Sequence, residues 1–253
     1  MNAEALSAHG GAFETLRVYR GTPFAWRRHL TRLEEGARAT GIEPPDSELL
    51  RRGVDDVLRA GRLVDGRVRL TLLAGPDDET PDLIIAAGGL PHLRPLARIV
   101  EARWPRNDRA ATAGVKSTSY ADNALAFADA RSRGADECIF ANTRGELCEA
   151  TGSNVFVVEH GVLRTPPARS GCLLGVTRAL VIELAESDGI PVEEVDMAVG
   201  AIRTADEAFL TSTTREVHPI GTVDERSRWT GPGPVTRRLA TLYAQLVDRD
   251  LDP

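Results

Sequence analysis

Apolar and polar residues alternate along AFETLRVY, residues 12–19, and the RGTPF that follows carries the glycine and proline of a turn. The pair predicts a strand and a tight reversal. The period then changes. In HLTRLEEGARATGI the apolar Leu30, Leu33 and Ala37 recur on one helical face, and Gly41 supplies a stop. SELLRRGVDDVLRAG predicts a second amphipathic helix, and GRVRLTLLAG, DLIIAAG and LARIVEARW read as three strands separated by Pro, Gly and Asp. PRNDRAATAG, residues 105–114, is small and polar with no apolar period, and is the candidate joint between two lobes.

Beyond it the chain predicts an Ala-rich helix from about Asp122, then strands at ECIFAN and NVFVVE with NTRGE between them as a hairpin turn. PPARSGCLLG is an irregular loop that feeds VTRALVIELAESDG, a helix closed by Gly189. EAFLTST is another strand, and PGPVTRRLATLYAQLVDRD a C-terminal helix with Pro in its first turn. Strands and helices alternate too irregularly for a doubly wound sheet or an eight-fold barrel. The expected fold is mixed α/β (α+β) in two lobes: a smaller one over 1–104, a linker at 105–115 and a larger one over 116–253.

Composition narrows the classes. In 253 residues, 42% hydrophobic and 27% charged, there is material for a sizeable core of ordinary globular kind. The net charge of −6 has both signs interspersed, which argues against a nucleic-acid footprint. No apolar run approaches a membrane span. The opening MNAEALSAHGG has neither the basic start nor the apolar stretch of a signal peptide. Cys138, Cys148 and Cys172 lack metal-ligand spacing and predict free thiols in a reducing cytoplasm, with no metal bound.

Candidate chemistry begins with a count. The chain holds thirty arginines and one lysine, Lys116, in GVKSTSYADN. Lysine, unlike arginine, can lose its proton and act as a nucleophilic amine, although drift alone could leave one lysine. In LLGVTRAL, Val176 and Thr177 follow Gly175 at a helix start, where free N–H groups suit an anion; an ordinary cap is the alternative. FLTST ends a strand in hydroxyl residues including Thr213, which could serve the same anion or only a turn. Arg32, one turn from His29, suits a phosphate, or pairs in solvent with Glu34 or Glu35. Glu149 precedes small residues and an apolar strand; it needs a cation or protonated heterocycle if buried, and nothing if exposed. An amine, a carboxylate, a helix N-terminus and an arginine together make the inventory that pyridoxal phosphate requires.

The order and wording of these motifs resemble the fold-type IV pyridoxal-phosphate enzymes, the class IV aminotransferase family. Its members include branched-chain and D-amino-acid aminotransferases and 4-amino-4-deoxychorismate lyases. The resemblance runs from about Phe13 to Pro219 and is carried by FETLRVYRGTPF, HLTRL, GVKSTSYADN, GADECIFANTRGELCEATGSNVFVVEHGVLRTPP, SGCLLGVTRALVIELA and EAFLTSTTREVHPI. It implies that Lys116 is the Schiff-base lysine and the base that moves the substrate proton. It implies that Glu149 holds the pyridine nitrogen protonated, and that Arg32, Val176, Thr177 and Thr213 form the phosphate cup. It also implies a cofactor cleft between two lobes and a homodimer.

The choice of reaction rests on finer matches. The spacing from Lys116 to Tyr120 is one residue shorter than the K-x-x-G-N-Y run of branched-chain enzymes, and FETLRVYRGTPF reads like the lyase branch. The lyase Asn–Arg pair is absent, however, with Ser119 and Tyr120 in its place. The arginine that D-amino-acid enzymes keep before the glycine ending this strand is Ala74 here, whereas Arg69 matches a substrate-facing arginine of branched-chain enzymes. Arg69 and Tyr120 are therefore candidate contacts to a small amino substrate. The expectation is an aminodeoxychorismate lyase, releasing pyruvate to leave 4-aminobenzoate. An amino-acid aminotransferase is the alternative, and a cofactor-binding homologue of reduced activity the second.

Overall fold

The strand predicted at AFETLRVY is β1 (Gly11–Tyr19), and it organises the first of two compact units. The computed structural model describes residues 10–75 and 81–253. β1 pairs antiparallel with β3 (Gly66–Leu73) along its whole length, β3 pairs with β4 (Asp82–Gly88), and the short β2 (Thr22–Pro23) closes the sheet in the order β2-β1-β3-β4. Alternation decides what each face of β1 does. Ala12, Leu16 and Val18 point into a core shared with Leu33 and Ala37 of α1 (Trp26–Ala39) and Leu50, Val54 and Leu58 of α2 (Ser47–Ala60). Phe13 takes the other face.

Beside β2, which reaches only the last residues of β1, the same edge accepts residues 115–118. Phe13 N–H donates to the Lys116 carbonyl at 3.0 Å, and Thr118 N–H donates to the Gly11 carbonyl at 2.8 Å. The fit requires a bare backbone at residue 11. A Cβ on Gly11 would lie 2.5 Å from the Leu72 carbonyl and 2.9 Å from Thr118 Oγ1.

The second unit is built on a mixed nine-stranded sheet. Its path is β10-β9-β8-β11-β12-β5-β6-β7, with β13 (Arg226–Ser227) also on β12. The strands are β5 (Ala97–Glu101), β6 (Glu137–Ala141), β7 (Leu147–Ala150), β8 (Asn154–Glu159), β9 (Val162–Thr165), β10 (Val192–Glu194), β11 (Glu207–Ser212) and β12 (Glu216–Val223). One core joins Ile99, Ile139, Leu147, Val155, Val157, Leu210 and Ile220. A second packs Phe140, Cys138, Cys148 and Cys172 against Ala126 and Ala130 of α3 (Ala121–Ser132). α4 (Val176–Ser187) follows the irregular loop, and α5 (Pro234–Arg249) ends the fold. The Glu207 carboxylate accepts from the N–H groups of Val235 and Thr236, capping the start of α5.

Two expectations change. NTRGE does turn a hairpin, but it joins β6 to β7, a strand that the sequence reading passed over. Four residues, LCEA, are too few for alternation to declare itself, and so Glu149 belongs to a strand rather than to a loop. The expected lobes also divide differently. One compact unit holds the described residues up to Pro91 with Val115–Tyr120 and Val247–Pro253; the other holds His92–Gly114 and Ala121–Leu246. β5 goes with the larger unit because it pairs parallel with β6 and β12. Lys116 goes with the smaller because its strand-like segment hydrogen-bonds to β1.

All three cysteines are buried free thiols. Burial pushes the Cys138 thiol up to about 11, so it stays protonated and unreactive at neutral pH. No helix among the described residues is long and apolar enough to cross a membrane. Residues 1–9, which carry most of the opening read as lacking a signal peptide, lie outside the described residues.

Candidate active site

Lys116 is held by its backbone on the edge of β1, and its Nζ lies over the Phe13 ring, 4.3 Å from the centroid. The same ring carries a second cation, the Arg69 guanidinium, with Cζ 3.7 Å from the centroid. Register explains the meeting: Phe13 stands opposite Thr71 on β3, so Arg69, two residues along, is its diagonal neighbour on the same face. Arg69 Nε donates to Thr71 Oγ1 at 3.2 Å, and Tyr120 meets Phe13 edge-on at 5.6 Å between centroids. Three of the predicted residues, Lys116, Arg69 and Tyr120, thus converge on one aromatic ring that the sequence reading did not single out.

Arg32 lies on the other face of β1. Its Nε and Nη2 donate to Glu14 at 2.7 and 2.9 Å, and His29 Nδ1 is 2.7 Å from the same carboxylate. Arg32 therefore pairs with a carboxylate in the inward register of the strand, where the sequence suggested Glu34 or Glu35 in solvent. Glu14 is buried, which by itself would favour the neutral acid. The Arg32 and His29 partners override that and hold its carboxyl well below the usual range. His29 is driven the other way: burial, with help from the Arg32 and Lys116 charges, lowers its pKa despite Glu14. Glu14 and His29 were missed. The signal available was a charged residue at an inward position of an alternating strand.

In the second unit Glu149 sits on β7 opposite Phe140 of β6. Its side chain is only 12% exposed. Leu173 N–H donates to Oε2 at 2.9 Å, and Arg106 Nη2 lies 3.0 Å from Oε1. Arg106 stacks over the Phe140 ring at 4.5 Å and donates from Nη1 to Asn123 Oδ1 at 2.8 Å. Asn123 is fixed in turn by donating to the Thr151 carbonyl at 2.7 Å. Arg106 falls in the segment read as a featureless linker, and nothing in its sequence context marks it.

Glu149 is tied to the start of α4 through neighbours. Asn154 Nδ2 donates to the Leu173 carbonyl at 2.6 Å, and Asn154 stands opposite Thr211 across β8 and β11. The Gly175 N-cap is pressed so closely on this amide that a Cβ there would lie 2.1 Å from Asn154 Oδ1. No side chain caps the helix at Gly175. The N–H groups of Val176 and Thr177, both buried, open the helix with its positive dipole end. Thr213 begins the turn between β11 and β12, two residues past Thr211, whose Oγ1 is buried without a hydrogen-bond partner among the described residues.

These residues fit pyridoxal phosphate. One unit offers a half-buried amine on an aromatic face and an arginine; the other offers a half-buried carboxylate and a helix start with no side-chain cap. An aldehyde, a basic ring nitrogen and a phosphate ask for that donor set. Comparison with known proteins agrees. The profile of the family described as Amino-transferase class IV matches residues 11–223. A "Putative branched-chain-amino-acid aminotransferase" of Methanocaldococcus jannaschii is 34% identical over 229 residues, which make up 85% of this chain and 79% of the relative. The D-alanine aminotransferase of Listeria innocua is 31% identical over 94% of this chain and 87% of its own. Among solved structures, a "Putative 4-amino-4-deoxychorismate lyase" from Legionella pneumophila superposes with a TM-score of 0.91 at 25% identity, covering 97% of this chain and 94% of that one. The chain belongs to the class IV aminotransferases: it is a pyridoxal-phosphate-dependent enzyme with the mixed α/β fold of fold type IV.

Proposed function

We propose that the protein is an amino-acid aminotransferase that moves an amino group from an α-amino acid to a 2-keto acid. The observation that supports this is the pair of cations on Phe13, Lys116 Nζ at 4.3 Å and Arg69 Cζ at 3.7 Å from the ring centroid. An α-amino acid carries its amine and its carboxylate on one carbon. A lysine and an arginine sharing one ring match those two groups, and Tyr120 on the ring's edge adds a hydroxyl.

Bound pyridoxal phosphate supplies an aldehyde that bonds to amines and a ring that draws off electron density when its nitrogen is protonated. In this reading Lys116 Nζ holds the aldehyde at rest, and as a free amine it takes and returns the proton of the substrate α-carbon. Glu149 accepts from the ring N–H. Val176 and Thr177 N–H, the Thr213 hydroxyl and Arg32 bind the phosphate, and Arg69 and Tyr120 orient the substrate carboxylate. A cytoplasmic homodimer is part of the same reading. The buried free thiols fit the compartment, and the exposed Leu125 and Phe127 on α3 fit a second copy.

Lyase chemistry is the second reading, favoured by the lyase-like opening FETLRVYRGTPF and by the Legionella superposition. One experiment separates them. Enzyme reconstituted with pyridoxal phosphate is given either single amino acids with a 2-keto acid, or 4-amino-4-deoxychorismate. Transfer of the amino group, with KM raised in Arg69→Ala, is the expected result. Catalytic release of 4-aminobenzoate without transfer would replace it with the lyase.

A further inference from the structure

Arg106 is a costly residue for a structural joint. Its side chain is 17% exposed, and its Nε is buried with no hydrogen-bond partner among the described residues. A half-buried guanidinium with a buried, orphaned N–H is penalised unless its charge is used. Every contact it does make fixes its direction. The backbone N–H of Arg106 donates to the Ala141 carbonyl at 2.7 Å, its guanidinium stacks on Phe140, and Asn123 holds Nη1. What remains points Nη2 at Glu149 Oε1, 3.0 Å away. The thiols of Cys148 and Cys172, which interact electrostatically with Glu149, are kept neutral by burial.

Resting on the assignment of Glu149 to the ring nitrogen, we propose that Arg106 acts through Glu149, holding it as the anion and so keeping the shared proton on the ring nitrogen of bound pyridoxal phosphate. The balance is a single proton between two atoms. In a poorly solvated site a pyridinium facing a carboxylate tends to collapse to the neutral pair, pyridine facing carboxylic acid. A guanidinium behind the carboxylate penalises only the second arrangement, because protonating Glu149 discards the ion pair. An opposite charge at this range shifts such an equilibrium by about 10- to 1,000-fold. Leu173 N–H, donating to the other oxygen, acts in the same direction. Arg106 is thus a positioning residue for charge: it touches neither substrate nor cofactor.

The test reads the proton directly. Pyridoxal phosphate labelled with ¹⁵N in the ring is reconstituted into the wild type, Arg106→Met, Arg106→Lys and Glu149→Gln, and the ring-nitrogen chemical shift is recorded at neutral pH. We expect a protonated nitrogen in the wild type, a shift toward the unprotonated value in Arg106→Met, and recovery in Arg106→Lys, with kcat following the same order. A ring nitrogen in Arg106→Met as protonated as in the wild type overturns the proposal, even if stability falls. If Arg106→Met does not fold, Arg106→Gln keeps the polar contacts without the charge and is judged by the same shift. Glu149→Gln separates the two levels. If it leaves the nitrogen protonated, the assignment of Glu149 fails and the proposal with it. If it strips the proton while Arg106→Met does not, only the role of Arg106 is lost.

Discussion

Glu14, buried, and Glu149, half-buried, are both carboxylates paired with arginine, yet their surroundings ask different things of them. Glu14 takes two N–H groups from Arg32 and a contact from His29, all side chains of α1 reaching down onto β1. Both of its oxygens are engaged by side chains of its own unit, so it welds a helix to a sheet while holding Arg32 in one orientation. Glu149 takes one backbone N–H on one oxygen and one guanidinium N–H on the other. One of these partners is a backbone amide rather than a side chain, and the other, Arg106, comes from a polar segment 43 positions earlier in the chain. The difference teaches that a buried acid–arginine pair is not one kind of device. The same chemistry braces a fold in one unit and, on the assignment proposed for Glu149, would set up proton chemistry in the other.

The comparison can be broken in several ways. The largest effect on folding is expected from Glu14→Gln, because it leaves the half-buried Arg32 and the buried His29 against a neutral partner. Loss of about 3–5 kcal/mol in urea unfolding is the expected result; a loss under 1 kcal/mol would make Glu14 no brace at all. Glu149→Gln should do the reverse, costing only about 1–3 kcal/mol in stability while kcat falls about 10²- to 10³-fold with cofactor still bound. Equal destabilisation of the two variants, with activity retained in the second, would erase the distinction drawn here.

Gly175→Ala sharpens the view of the second unit. The added methyl would press on Asn154 Oδ1, so about 1–3 kcal/mol of overpacking is expected. Weaker pyridoxal-phosphate binding by fluorescence titration should accompany it if the α4 start holds the phosphate. Unchanged affinity would detach the phosphate from this helix.

The smallest effect is in pH. His29 has its pKa lowered from 6.5 by burial, so it contributes stability that is present above 6.5 and is lost as pH falls below that value. Glu14, held below its ordinary 4.5, adds a second loss on acidification that starts below that pH. Each group contributes a slope of at most about 1.4 kcal/mol per pH unit. His29→Gln should flatten part of the first window, with His218, also lowered by burial, retaining the rest. Glu14→Gln should flatten the second. A wild-type stability profile that stays level as pH falls below 6.5 would contradict the first sign, and one that stays level well below pH 4.5 the second.

Much of this molecule is legible in its sequence. The periodicities of AFETLRVY, HLTRLEEGARATGI and VTRALVIELAESDG correspond to β1, α1 and α4, because each long segment must bury one face and alternates at the period that does so. The lone lysine, the carboxylate before TGSNVF and the glycine-led helix start stood out as residue types that one cofactor would need together. β7, with four residues, has too few alternations to signal itself. Arg106 lies in a polar stretch where one arginine looks like any other.

Residue chemistry belongs to the sequence alone: it named an amine, an acid and an anion site, because those properties travel with the side chain wherever it is put. Adjacency does not travel with a side chain. Phe13 gathers Lys116, Arg69 and Tyr120 only because β1 accepts residues 115–118 on one edge and β3 on the other. Arg106 reaches Glu149, 43 positions away, because its backbone joins the end of β6 while Glu149 lies beside Phe140 on the next strand. Such pairings depend on hydrogen-bond register between segments far apart in the chain, and register is decided only when the sheet closes.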